Sequence, residues 1–163
     1  MINILKKICE EKKKELEITK TKYSLSSLKK LLPEKTNRNF KKLLQYSQKN
    51  KKNNIIAEIK KSSPSVGEII KNYRPEDIAV QYEKSGAGAI SILTESSFFE
   101  GHIDHMSTIN RKTNLPILRK DFIIDEYQIF ESKVFKADAI LLIVSILSDE
   151  KIREFIKIAE DIG

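Results

Sequence analysis

The sequence predicts an α/β fold, about half of a (β/α)8 barrel behind a helical N-terminal extension, and three observations carry this. Four short apolar segments, 55–60, 89–94, 115–119 and 139–144, follow one another after residue 54. Each is followed by a helical pattern long enough for a crossover, the signature of a parallel sheet with right-handed connections. These four units fill about 110 residues, where a complete barrel takes about 250.

Taken in order, residues 1–53 read as the helical extension and 54–163 as the first half of a barrel, ending before a fifth strand. Ile4, Leu5, Ile8 and Cys9 fall at helical spacing, and "SLSSLKKLLP" and "NRNFKKLLQYSQ" give two shorter helical segments. Ser24 or Ser26 is placed to cap the first of these, and Pro33 to stop it. Between and after the strands, helical patterns cover 75–85, 103–112, 126–135 and 149–162. Pro75 suits the first helical position and Gly86 a helix end. Ser148 and Asp149 are N-cap candidates, and Gly163 fits the position just past a helix.

Composition narrows the class. A content of 40% hydrophobic and 33% charged residues reads as a globular chain. The single cysteine, Cys9, permits no intramolecular disulfide and points to a reducing compartment. The start lacks the apolar stretch of a secretory signal, and the longest apolar run, "AILLIVSIL", falls far short of the roughly 20 residues of a membrane helix. A cytoplasmic location is the expectation, with no membrane partner. The net charge of +7 is uneven: residues 1–54 carry 16 Lys+Arg against 5 Asp+Glu, the rest 14 against 18. Because these lysines interleave with Leu, Ile and Glu in helical patterns, without aromatics to stack bases, they read as solvated helix faces and not as a nucleic-acid site.

The segment "IIAEIKKSSPSVGEI" carries the first candidate chemistry. Strand side chains alternate, so Ile55, Ala57 and Ile59 share the helix-facing side while Glu58 and Lys60 aim at the barrel axis. They lie near the strand's C-terminal end, where barrel enzymes place their sites. "LPILRKDF" repeats the device: Leu118, Lys120 and Phe122 share a face, with Lys120 at the end. Two lysines and a glutamate at one mouth can hold an anion. Partial burial and a neighbouring cation make an ammonium a better proton donor, while the carboxylate keeps one lysine charged and oriented. A structural ion pair at a wet rim is the alternative.

Other features carry less. "SGAGAI" follows a helix and lacks a third glycine, so it reads as a turn and not a dinucleotide fingerprint. His102 and His105, three apart, have no evident ligand set and read as solvent-facing. "KSSPSVG" reads either as a modification site or as a mobile loop closing over a ligand. Phe98 and Phe99 read equally as packing or as cover for an aromatic ligand.

"IIAEIKKSSPSVGEI", "GAGAISILTESSFFEG", "LPILRKDFIIDEYQI" and "ADAILLIVSIL", in this order on successive strands, closely resemble the indole-3-glycerol phosphate synthase family of tryptophan biosynthesis. The resemblance covers nearly the whole chain, including the helical extension, and implies a carboxy-lyase. Such an enzyme closes the indole ring of 1-(2-carboxyphenylamino)-1-deoxy-D-ribulose 5-phosphate with loss of carbon dioxide and water. It further implies Lys120 as general acid, Lys60 holding anionic groups, and Glu58 orienting a lysine and the sugar hydroxyls. Ser63 matches the serine at the substrate carboxylate, and Phe99, Phe122 and Leu141 the apolar positions that clamp the ring. No metal or organic cofactor is implied, since a lysine acid suffices for the proton transfers.

Two departures follow from the same resemblance. The family's general-base glutamate lies on the fifth strand, further polar residues on the sixth and seventh, and its main phosphate cradle on the seventh and eighth, beyond these four units. Lys136, in "FKADAI", stands where the family usually has glycine, so local strain is expected there. A half-barrel leaves its first and fourth strands as open edges and its inward faces uncovered. The expectation is a chain that aggregates, self-associates to close a barrel, or is a piece of a longer polypeptide. Two alternatives remain: another phosphate-binding barrel using Lys120 or Lys60 as a Schiff-base nucleophile, as aldolases do, and a non-catalytic half-barrel remnant or binding module.

Overall fold

The computed structural model describes residues 4–34, 38–50 and 53–163; Asn37, at the start of the second short helical pattern, lies outside them. Three helices come first: α1 (Ile4–Lys22), α2 (Leu25–Lys30) and α3 (Phe40–Asn50). Ser24 is the cap of α2, its hydroxyl accepting from Ser27 N–H at 3.2 Å, and α2 ends before Pro33. Four parallel strands follow, β1 (Ile56–Ile59), β4 (Ala89–Leu93), β5 (Ile117–Lys120) and β6 (Ala139–Ile140), in the sheet order β1-β4-β5-β6. Between and after them run α4 (Pro75–Lys84), α5 (Asp104–Asn110), α6 (Glu126–Val134) and α7 (Asp149–Ile162). Pro75 occupies the first turn of α4, and Ser148 caps α7 by accepting from Lys151 N–H at 3.3 Å.

The register sorts the side chains into rows. Glu58, Ser91, Leu118 and Ala139 are successive partners on the inner face, while Ile59, Ile92 and Arg119 are partners on the outer face. Outer-face Ile59, Ile90, Ile92 and Ile117 pack with Ala79 of α4 and with Met106 and Ile109 of α5 in a fully buried cluster. Each such isoleucine is worth about 1.5–3 kcal/mol of burial. Leu16 of α1 and Leu28 of α2 close a second cluster on Tyr127 and Phe130, and Ile123, Ile129 and Phe155 join α6 to α7. The extension is therefore docked on α6.

Two expectations need correction, and one segment gains a defined form. The third strand runs two residues later at its start and includes Lys120, because Pro116 cannot extend the ladder inward. The fourth strand ends at Ile140 and gives way to a 3-10 turn, Val144–Ile146, instead of reaching residue 144. Its pairing with β5 is limited to the Leu118–Ala139 and Arg119–Ile140 rows, one short of the end of β5 at Lys120. The "KSSPSVG" segment is a closed hairpin, with β2 (Ser62–Ser63) antiparallel to β3 (Gly67–Glu68) and Gly67 at φ +77°. Both serines of β2 are buried, while Ser65 in the same segment is exposed.

Within the described residues the four-stranded sheet does not close, and β1 and β6 are its edges, as expected. Lys136 adopts φ +72°, the left-handed conformation that its glycine-like position predicts.

Candidate functional site

Glu58 leaves β1 toward the sheet's inner face and bridges two cations: Lys60 Nζ donates to its Oε1 at 2.9 Å, and Lys120 Nζ donates to its Oε2. Lys60 directly follows β1 and Lys120 ends β5, and they meet because β1 and β5 flank β4, whose Leu93 is the partner of Lys120. Burial works against ionising Glu58, but the hydrogen bonds and charges of Lys120 and Lys60 outweigh it, so the carboxyl titrates below its ordinary range. All three side chains are about a third exposed, at 30% for Glu58, 32% for Lys60 and 41% for Lys120, so water and a ligand can reach them.

Around this triplet lies a hollow of about 130 Å³ bordered by Leu93, Phe99, Phe122, Leu141 and Ile143. Phe99 and Phe122 face one another with centroids 6.4 Å apart and planes tilted by 33°. A second hollow, of about 460 Å³, shares Lys60, Phe99 and Phe122 and is lined by Ser63 of the hairpin and by Leu5 and Ile8 of α1. Glu58, Lys60, Lys120, Phe99, Phe122, Leu141 and Ser63 thus converge on one continuous concavity. Chemically it offers two ammonium groups for anions and protons, a carboxylate that orders them, and an apolar slot of ring-like dimensions.

The loop carrying Phe99 is built by a residue the sequence reading passed over. Glu95, 1% exposed, accepts from the backbone N–H groups of Ser97, Phe98 and Phe99 at 3.0, 2.7 and 3.1 Å. Gly101 closes the loop by donating to Glu95 O at 2.8 Å, where a Cβ would sit 2.4 Å from Leu93 O. Of the two phenylalanines, Phe99 faces the site, while Phe98 lies beneath the Lys7 ammonium at 5.9 Å.

Two further groups were also missed. Ser91, beside Glu58 in the inner row, is 5% exposed and its hydroxyl has no hydrogen-bond partner among the described residues. On the outer face, Arg119, Asp121, Lys12 and Glu131 form a buried charge network. Its signal was present in the alternation that puts Arg119 among the isoleucines, a cation where only apolar side chains are expected.

The histidines differ from expectation in part. His102 is exposed, but His105 is half buried, its ring 5.4 Å from that of Tyr73, and burial holds it below the usual imidazole range. A larger hollow of about 500 Å³ lies on the outer side among α1, α2, α5 and α6, away from Glu58 and both site lysines.

Comparison with known proteins gives a consistent family. The family model described as indole-3-glycerol phosphate synthase matches residues 5–163. An indole-3-glycerol phosphate synthase of Legionella pneumophila (strain Lens) is 43% identical over 162 residues, covering 99% of this chain and 61% of the relative. That of Chloroherpeton thalassium is 41% identical over 162 residues, 98% of this chain and 62% of the relative. That of Carboxydothermus hydrogenoformans is 51% identical over 109 residues, 67% of this chain and 41% of the relative. The chain therefore spans between 41% and 62% of the length of these relatives.

Proposed function

The chain belongs to the indole-3-glycerol phosphate synthase family, and on that premise we propose that it carries the acid side of a ring-closing carboxy-lyase site. The substrate is 1-(2-carboxyphenylamino)-1-deoxy-D-ribulose 5-phosphate, whose ring, carboxylate and phosphate match an apolar slot flanked by cations. Residues 1–53 act as the extension and 54–163 as the first half of the barrel.

In this reading Phe99, Phe122 and Leu141 hold the aromatic ring, and Ser63 meets the substrate carboxylate. Lys60 pairs with the substrate's anionic groups. Lys120, oriented by Glu58, donates the proton to the ketose oxygen as the ring carbon attacks C2, so that oxygen leaves as water after decarboxylation restores the aromatic system. The single observation that supports this is the Glu58 carboxylate bridging Lys60 and Lys120 beside the Phe99 and Phe122 rings. The base that removes the remaining proton and the phosphate cradle belong to the part of the relatives that this chain does not span. Turnover then requires that part, or a second copy of the chain taking its place.

The test separates binding from chemistry. The chain is titrated calorimetrically with the substrate whose ketone has been reduced to an alcohol, alongside Lys60→Met and Phe122→Ala. Saturable binding weakened about tenfold or more by either substitution supports the reading. Equal affinity in all three proteins overturns it. Fluorescence of indoleglycerol phosphate, absent from Lys120→Ala, then reports whether the chain completes the reaction.

A further inference from the structure

β5 delivers Arg119, Lys120 and, one residue on, Asp121 to alternating faces, so the lysine at the site shares its backbone with two charges behind the sheet. Asp121, 2% exposed, has its carboxylate fully engaged. Its Oδ1 accepts from Phe122 N–H at 2.8 Å and lies 3.1 Å from Lys12 Nζ. Its Oδ2 accepts from Thr94 Oγ1 at 2.7 Å and from Arg119 Nη2 at 2.9 Å. Arg119 is held from its far side by Glu131 Oε2 at 2.8 Å, Ser132 Oγ at 3.1 Å and the Gln128 carbonyl at 3.2 Å.

Lys12 is the member of this network that comes from α1, and it too is only 2% exposed. It sits between Ile8 and Leu16, the other buried residues of α1. Leu5 and Ile8 line the larger hollow of the site, Leu16 packs on Tyr127 and Phe130, and Lys20 reaches Asp125 at 2.7 Å. A methionine or leucine at position 12 would fill the same space without the desolvation cost of an ammonium. Lys12 is also held within α1 by Glu15 Oε2 at 2.8 Å, so the contact that depends on the docking of the helix is the 3.1 Å ion pair with Asp121.

We propose that Lys12 and Asp121 are positioning residues for Lys120: their contact fixes α1 against the end of β5 and holds the backbone from which Lys120 and Phe122 enter the site. The extension is then a working part of the site and not only a cover. This rests on the reading of Lys120 as the proton donor given above, but its geometry can be tested without turnover.

The test uses the 163-residue chain, Lys12→Met and Lys12→Arg, with amide exchange over all helices and the Glu58 carboxyl carbon resonance as readouts. That resonance reports the Lys120 contact and is assigned by its loss in Glu58→Gln. In Lys12→Met, which loses the ion pairs with Asp121 and Glu15, the α1 amides are expected to exchange about 10- to 100-fold faster. The Glu58 resonance shifts, α4 and α5 keep their protection, and Lys12→Arg restores both readouts. An unmoved Glu58 resonance in Lys12→Met overturns the proposal, as does acceleration of α4 and α5 equal to that of α1. If Lys12→Met does not fold, Lys12→Gln, which keeps a donor without the charge, carries the same comparison. The expected shifts in a chain that fails to bind the reduced substrate would refute the functional reading and leave this one standing.

Discussion

Replacing Asp121 with asparagine removes the charge at the centre of the buried network while keeping the shape of the side chain. Burial alone would push this carboxyl up, but Arg119, Lys12 and the hydroxyl of Thr94 hold it down at about 2, from an ordinary 3.8. Because the carboxyl is fully buried, solvent screening calls for no discount, and the displacement corresponds to about 2 kcal/mol of native-state stabilisation. The folded value lies below the unfolded one, so this contribution is complete above about pH 5 and is lost as pH falls through about 4 toward 2. In Asp121→Asn the amide donor faces Arg119 and Thr94, which are themselves donors, and a buried cation loses its counter-charge. The expected cost near neutrality is about 3–5 kcal/mol. The assay is urea unfolding of both proteins from pH 7 to pH 2. Other carboxylates that titrate low, such as Glu58 and Asp125, are common to both proteins and cancel in the difference. The stability gap is expected to narrow by about 2 kcal/mol on acidification. A gap that stays constant, or widens in acid, would refute the argument that Asp121 is ionised and held by its cations. If the variant does not fold, the Asp121 carboxyl titration followed by carbon NMR in the unaltered protein gives the same quantity, and a midpoint near 4 would be the refuting result.

Other substitutions probe the scaffold. Lys136→Gly relieves a left-handed residue at φ +72° and is expected to raise stability by about 1 kcal/mol, or about 2–4 °C in melting temperature; a lower melting point would contradict the strain. Gly101→Ala places a Cβ 2.4 Å from Leu93 O and 2.9 Å from Glu95 O, both backbone atoms. It is expected to cost about 1–3 kcal/mol in urea unfolding and to weaken binding of the reduced substrate by disturbing the loop that presents Phe99. Ser148→Ala removes the cap of α7, where the hydroxyl accepts from Lys151 N–H at 3.3 Å, with an expected loss of about 1 kcal/mol and faster amide exchange confined to the first turn of that helix.

The local part of the fold was legible because its causes are local. Side-chain alternation put Glu58 and Lys60 on one face and Ile59 on the other, and the contact of Lys60 with Glu58 and the burial of Ile59 in the outer cluster agree. Pro75, Ser24, Ser148 and Gly163 act at helix ends through bonds and dihedral preferences that reach no further than a few residues. Glu58, Lys60 and Lys120 could be nominated for the same reason: a charge at the C-terminal end of a buried strand conflicts with its surroundings unless it is used, whereas Ser63, Phe99, Phe122 and Leu141 were nominated through the family resemblance.

What the sequence by itself determined is thus the four main strands and the helices between them, their faces, and the inward aim of Glu58, Lys60 and Lys120. Tertiary structure decided how far each element runs and what lies behind it. β6 stops at Ile140, one row before its partner β5 ends at Lys120, and that length is set by pairing between two strands that no single segment contains. Lys12 looks like one lysine of a solvated run, and only the docking of α1 on α6 brings it to Asp121, 109 positions away. Glu95 and Ser91 likewise acquire their roles from loop closure and from strand order. Propensity and alternation act over one or two turns of chain. Burial of a charge, by contrast, is stabilised or penalised by whatever long-range packing places against it.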